Sequence, residues 1–396
     1  MSGDSVVYVV PDKMGGMLNI VASLLQHRAP DGMAYHAVLT RNRLDTDTRF
    51  GGRLAADEQT TVDFALPVEN IYAVLKRLRH AIPDGGGVLV SNDLLELAML
   101  HVYKTDRMVV QLLHGDHAYY YDLAVRHQSV IDVFAAYSRA MYDELRRRLP
   151  HRADDVLHLP YGIPLPARVR DARVDGPLRL LFAGRLEHGQ KGVFELPMID
   201  RLLGERGVPV TWSIVGAGPD EEQLRAQWQA PHVTWHGIFP HADVLHLLAD
   251  YDVFVLPTRT EGFPVALVEA MASGLVPVVS DIASGVPEVV DAGVHGFRPP
   301  VGDVSAFADA IETLAHNRAM LNAMSGAARE RVRADFDAER RTRDYQQLFA
   351  EWRQRRRQRS VLSTLPYGSR LDRPWMPNSV VRVVRSGMRA LAGKSW

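Results

Sequence analysis

The chain contains no cysteine. No disulfide can staple it, no thiolate can hold a metal, and a reducing compartment such as the cytoplasm is the expected setting. It has no run of about 18 or more apolar residues, the length a spanning helix needs. No charged leader, apolar core and small-residue cleavage site stand at its start. A strand-like run, Val6 to Val10, begins almost at once, so no signal peptide is expected. It also lacks an excess of either charge. The 46 Lys and Arg against 47 Asp and Glu leave a net charge of −1, which argues against a nucleic-acid binder. What is present is 396 residues, 46% apolar and 23% charged. That is the composition of a globular protein able to bury cores in two or three domains.

The charge is unevenly spread. Residues 352–396 hold eleven Arg or Lys against one acid, Asp372. Such a tail suits a membrane surface or an acidic partner, or is simply solvated.

Short apolar runs alternate with helical patterns along the whole chain. Strand candidates in the first half are Val6–Val10, Tyr35–Leu39, Val88–Val90, Met108–Leu113, Ile131–Ala135 and Val156–Leu159. In the second half they are Leu178–Phe182, Val210–Val215, Val233–Trp235, Val253–Leu256 and Val276–Val279. Strands that are apolar throughout are buried on both faces. Strands alternating with helices make parallel sheets with right-handed crossovers. Some eleven such units are too many for one ordinary open sheet. The Pro- and Gly-rich stretch Pro160–Pro177 divides them and reads as a linker between two doubly wound α/β domains. Ligands of such domains lie at the carboxyl ends of the strands.

The segment EGFPVALVE places Glu261 in the loop after Val253–Leu256 and Glu269 inside the helix that follows, which stops at Gly274. Gly262 allows close backbone approach. Pro264 suits the first turn, whose free N–H groups favour an anion. Carboxylates accept directed hydrogen bonds from sugar and ribose hydroxyls. Spacing alone would equally fit a loop charge and a surface helix charge. Against that, Glu269 lies in the small and apolar run ALVEAMASG, where an unpartnered acid would be costly.

A second segment, FAGRLEHGQKG, carries Gly184, Arg185 and Lys191 after a strand. Two cations there can neutralise a diphosphate as it leaves. Gly15 and Gly16 open a helix after the first strand, which lets a substrate come close but is a weak signal alone. The turn Gly216-Ala217-Gly218-Pro219 does not complete a dinucleotide fingerprint. His114 ends the strand Met108–Leu113, where it could bond a sugar hydroxyl or move a proton. His117 and Asp116 beside it are less favoured. No three-ligand metal spacing is found, and Asp45-Thr46-Asp47 reads as a solvated loop.

In this order the segments resemble glycosyltransferase family 4, whose fold is GT-B. The resemblance is strongest over Leu178–Pro300, through GRLEHGQKG, IVGAGP, the long segment ending in LVPVVSD, and SGVPEVVDAGVHGF. It implies two Rossmann-like domains facing a cleft: residues 1–165 on the acceptor side and 166–335 on the donor side. A helix over 336–358 would cross back, and 359–396 would form a basic tail. It implies that Arg185 and Lys191 bind the donor diphosphate and that Glu261 contacts the donor sugar. The backbone of Gly262, Phe263, Pro264 and Val265 would lie nearby, and Glu269 would hold the ribose. Gly15, Gly16, Gly184 and Gly216 would allow close approach, and His114 would touch the sugar. Hexose transfer from a UDP- or GDP-sugar to a glycan or lipid-linked acceptor, with retention and without a required cofactor, is what the resemblance implies. Tyr161-Gly162-Ile163-Pro164 and Ser284-Gly285 depart from the family's usual residues. An epimerase on this fold would need no acceptor. A silent binding protein would not need Glu261, Glu269, Arg185 and Lys191 together. In the tail, Ser379–Leu391 can place Val380, Val383, Val384, Met388 and Leu391 on one helical side beside arginines, as in a membrane-surface helix. Docking of that helix on the protein itself is the alternative.

Overall fold

The computed structural model describes residues 3–46, 49–172, 175–239, 241–361, 365 and 368–392. The chain divides into two units. The first is Met1–Ala136, Glu144–Leu159 and Thr342–Trp396, and the second is Tyr137–Asp143 with Pro160–Arg341.

The first unit is built on seven strands: β1 (Ser5–Pro11), β2 (Ala34–Asn42), β3 (Glu58–Phe64), β4 (Gly87–Ser91), β5 (Met108–Leu113), β6 (Val133–Ala136) and β7 (Val156–His158). They lie in the order β3-β2-β1-β4-β5-β6-β7, and every pairing is parallel. The order reverses between β1 and β4, the switch point at which such sheets bind ligands. β1, β4 and β5 are buried almost throughout, as their continuous Val and Leu runs require. β3 (EQTTVDF) was not legible as a strand. It is the sheet's edge, largely exposed and polar, so it carries no apolar run.

The second unit has five parallel strands, β8 (Leu178–Ala183), β9 (Val210–Val215), β10 (Val233–Gly237), β11 (Val253–Leu256) and β12 (Val276–Val279). Their order is β10-β9-β8-β11-β12. The switch point falls between β8 and β11.

Pro160–Pro177, expected to be a linker, is packed into the second unit at residues 160–163 and at Arg170. Ile163 N–H donates to Phe336 O at 2.8 Å, and Ala338 N–H returns a bond to Ile163 O at 3.0 Å. Gly162 stands there because an added Cβ would meet Asp337 O at 2.4 Å. Arg170 Nε pairs with buried Asp252 at 2.8 Å.

The basic tail is not simply solvated either. Arg353 pairs with Asp4, Arg356 with Asp106 at 3.0 Å, Arg357 with Asp155 at 2.6 Å, and Arg359 with fully buried Asp132, all within the first unit. Burial pushes the Arg359 guanidinium down to about 10. No helix of the described residues is long and apolar enough to cross a membrane.

Candidate functional site

In the second unit, the loops after β8 and β11 meet because those strands are neighbours. An added Cβ at Gly192 would sit 2.0 Å from Pro257 O. Gly192 also has φ 63°, a left-handed value that glycine adopts freely. Arg259 N–H donates to Gln190 O at 2.8 Å. Across this seam Lys191 Nζ donates to Glu261 Oε1 at 2.5 Å. Thr258 Oγ1 lies 3.0 Å from the same carboxylate oxygen and 3.0 Å from Gln190 O. Glu261 is buried and the Lys191 side chain mostly so. A buried carboxylate needs such a partner. The pair presents a cation and an acceptor side by side, which is what a ligand carrying both phosphate and hydroxyls requires.

Arg185 follows β8 but stands apart from this pair. Its side chain is 66% exposed, with Nε 3.2 Å from Glu187. Glu269 is buried on the helix Val265–Ala272. That helix ends at Gly274, φ 91°. Leu275 N–H reaches Ala270 O and Gly274 N–H reaches Met271 O, a left-handed C-terminal closure.

The helix start differs from expectation. Pro264 lies just before the helix, with φ −82° and ψ 81°, an inverse γ-turn. Val265 N–H therefore turns to Phe263 O at 3.0 Å, and Leu267 N–H to Pro264 O at 3.1 Å. Two first-turn donors expected to be free for an anion are thus engaged. The Phe263 ring is buried against Tyr161 (4.9 Å) and Phe336 (5.4 Å), and Tyr161 in turn meets Tyr137 (5.3 Å). This cluster holds the Glu261 loop from within. Gly285 supports it too, since an added Cβ would lie 2.9 Å from Gly262 O.

Gly216 has a packing role of its own. Its φ is 127°, and an added Cβ would sit 1.9 Å from Gly184 O. Gly184 N–H donates to Val215 O at 3.0 Å. The missing side chain lets these two loops touch.

Other residues of the seam were not singled out by the sequence. Arg259 pairs with buried Glu195 at 2.6 Å and lies 3.4 Å from His188 Nε2. Thr258 was within reach of inspection, three residues before Glu261. Arg259 and Glu195 carried no comparable signal.

The first unit has its own polar group at the β1/β4 switch. Asn92 Nδ2 donates to Val9 O at 2.7 Å. Its Oδ1 is then the acceptor facing His114 Nε2 at 2.8 Å, so that ring nitrogen carries the proton. Burial pushes His114 down to about 3, and the ring is neutral at ordinary pH. Gly15 (φ 152°) and Gly16 start the helix Gly16–Gln26, and an added Cβ at either meets nothing within 4 Å. His117 is an N-cap, its ring accepting from Tyr119 N–H at 3.2 Å. Tyr121 O–H donates to Asp116 at 2.5 Å. Asp45 pairs with Lys13 at 2.8 Å, while Asp47 lies outside the described residues. Among the described residues no three His, Cys, Asp or Glu side chains are grouped to hold a metal ion.

The family match falls on the same unit. Residues 177–317 match the family described as Glycosyl transferases group 1. The putative colanic acid biosynthesis glycosyltransferase WcaL of Salmonella typhimurium is 38% identical over 172 residues, 41% of this chain and 42% of that protein. The amylovoran biosynthesis glycosyltransferase AmsK of Erwinia amylovora is 35% identical over 180 residues, 43% of this chain and 44% of that protein. The chain thus spans less than half the length of these curated relatives. The Anabaena protein HepE, solved in complex with UDP, aligns with a TM-score of 0.70 and 17% identity, covering 88% of this chain and 100% of that one. The fold is GT-B, with two Rossmann-like units. The resemblance to family 4 glycosyltransferases read from the motifs is borne out by the family match over residues 177–317 and by these curated relatives.

Proposed function

We propose that the chain is a retaining glycosyltransferase. It moves a hexose from a UDP- or GDP-sugar to a glycan or lipid-linked acceptor in polysaccharide or glycolipid biosynthesis. The observation that carries this reading is the Lys191–Glu261 pair, buried at the switch point of the second unit. The names of WcaL and AmsK, both polysaccharide-biosynthesis glycosyltransferases, support the direction.

Transfer leaves a nucleoside diphosphate, and the barrier falls when its growing charge meets a fixed cation. Lys191 is proposed to bind that diphosphate while Glu261 orients its ammonium and accepts a sugar hydroxyl. Exposed Arg185 is proposed as a second, movable cation. Glu269 is proposed to hold the ribose, with the backbone of Gly262, Phe263, Pro264 and Val265 lining the sugar. Gly184 and Gly216 would shape the phosphate loop by packing. No protein base is invoked: the departing phosphate would take the acceptor proton on the same face, and no bound cofactor is required. The first unit is proposed as the acceptor-binding domain. There His114 would bond a sugar hydroxyl, and Gly15 and Gly16 would leave room for a ligand. The proposed setting is cytoplasmic, with the tail at residues 359–396 reaching a membrane surface.

Release of UDP or GDP from a panel of nucleotide sugars tests the reading. Glu261→Ala and Lys191→Ala should each lower turnover about a hundredfold or more, and the product's anomeric configuration should match the donor's. Unchanged turnover in both variants removes the reading.

A further inference from the structure

The helix Asn378–Ala392 is docked with its polar edge inward. At 3.6 residues per turn, Arg382, Arg385 and Arg389 share an arc of about 60°. Val380, Val383, Val384 and Met388 occupy an arc of about 140° on the other side. The first unit takes that edge through Arg385, while Arg382 stays exposed. Arg385 donates to Pro67 O at 2.7 Å, Glu69 O at 2.6 Å and Asp372 at 2.7 Å. Asn378 accepts from Asn70 N–H at 2.8 Å, and Val381 is fully buried beside them. The apolar side is left outward: Val380 is 46% exposed, Val383 74%, Val384 40% and Met388 61%, with Trp375 before the helix at 73%. The side chain of Leu391 lies outside the described residues.

This reverses the usual rule, by which a surface helix turns its apolar stripe to the core. A contiguous exposed stripe of this kind marks a partner. We infer that this outward face is an anionic-membrane contact, with the helix lying in the plane of the bilayer surface. Residues 373–392 contain four arginines and no acid. Arg382 is exposed and flanks the stripe, so its charge meets lipid phosphate while the valines and methionine enter the acyl boundary. Trp375 is the residue type that settles at that depth. A second copy of the chain is the weaker fit. A 15-residue helix, about 22 Å long, offers far less than the ~800 Å² per partner of a stable interface. The arginine row foreseen as the lipid ligand is thus divided, since Arg385 clamps the helix to the protein. The inference rests on the membrane setting proposed above and not on the donor site.

Flotation of the full chain with vesicles tests it, using phosphatidylcholine alone and an equimolar mixture with phosphatidylglycerol. The wild type should float with the anionic vesicles and far less with the neutral ones. Val383→Asp with Met388→Asp should lower the bound fraction about tenfold. Both positions are exposed, so thermal stability and release of UDP or GDP from soluble donor should not change. Glu261→Ala should float like the wild type, which separates failure here from failure of the donor-site reading. Equal flotation of the double variant, or a wild type that stays off anionic vesicles, overturns the inference. A wild-type dimer that the two aspartates convert to monomer, without vesicle binding, assigns the face to a second copy and overturns it also.

Discussion

Removing Lys191 strands a carboxylate. With Lys191→Met, buried Glu261 keeps, among the described residues, the Thr258 hydroxyl, and breaking a buried pair costs about 3 kcal/mol. Urea unfolding should show that loss, and adding Glu261→Gln should recover most of it while turnover stays low. A merely structural pair would regain both together. His114 makes a prediction of opposite kind. Its folded value, about 3, lies below the unfolded value of about 6.5. Its contribution to stability is therefore fully present above about pH 6.5 and is lost as the pH falls toward the folded value. His127, pushed by burial to about 4, shares that window. Ring NMR signals of His114 should stay flat from about pH 8 to about pH 5, and a midpoint near 6.5 would contradict its neutral assignment. The residue types of the site were legible in EGFPVALVE and FAGRLEHGQKG. Their pairing was not, because Lys191 and Glu261 stand 70 residues apart and only the strand order makes their loops neighbours. Arg185 reads the same as Lys191 in sequence, yet one is exposed and the other held.

Glycines separate packing from binding at the level of loops and helices. Gly192→Ala must place a Cβ 2.0 Å from Pro257 O at a left-handed φ. It should cost at least about 2 kcal/mol and carry turnover down with it. Gly16→Ala meets open space, so its stability should stay within about 0.5 kcal/mol of the parent. A fall in turnover at unchanged melting temperature would then report a ligand beside Gly16, and unchanged turnover would remove Gly16 from the site. Apolar runs made the central strands readable, since burial on both faces leaves no polar position. The edge strand β3 was unreadable for the converse reason. Pro160–Pro177 looked like a linker by composition, but its bonds to Phe336, Ser273 and Asp252 are long-range and leave no local mark.

For the molecule as a whole, the tail's charge was visible in sequence and its partners were not. Arg353, Arg356, Arg357 and Arg359 meet acids from four distant positions of the first unit. Arg359→Ala would leave Asp132 buried with the remaining N–H donors of Val109 and Arg357, and should lower stability by about 3 kcal/mol. An unchanged melting temperature would show that the tail is not part of the first unit's fold. The seam between the loops after β8 and β11 is proposed to hold a nucleoside diphosphate through Lys191. Isothermal titration of UDP and GDP, in turn, into wild type and folded Lys191→Met tests it most directly. One of the two should bind the wild type and bind the variant at least about tenfold more weakly. No binding by the wild type, or equal affinity in the two proteins, would contradict it.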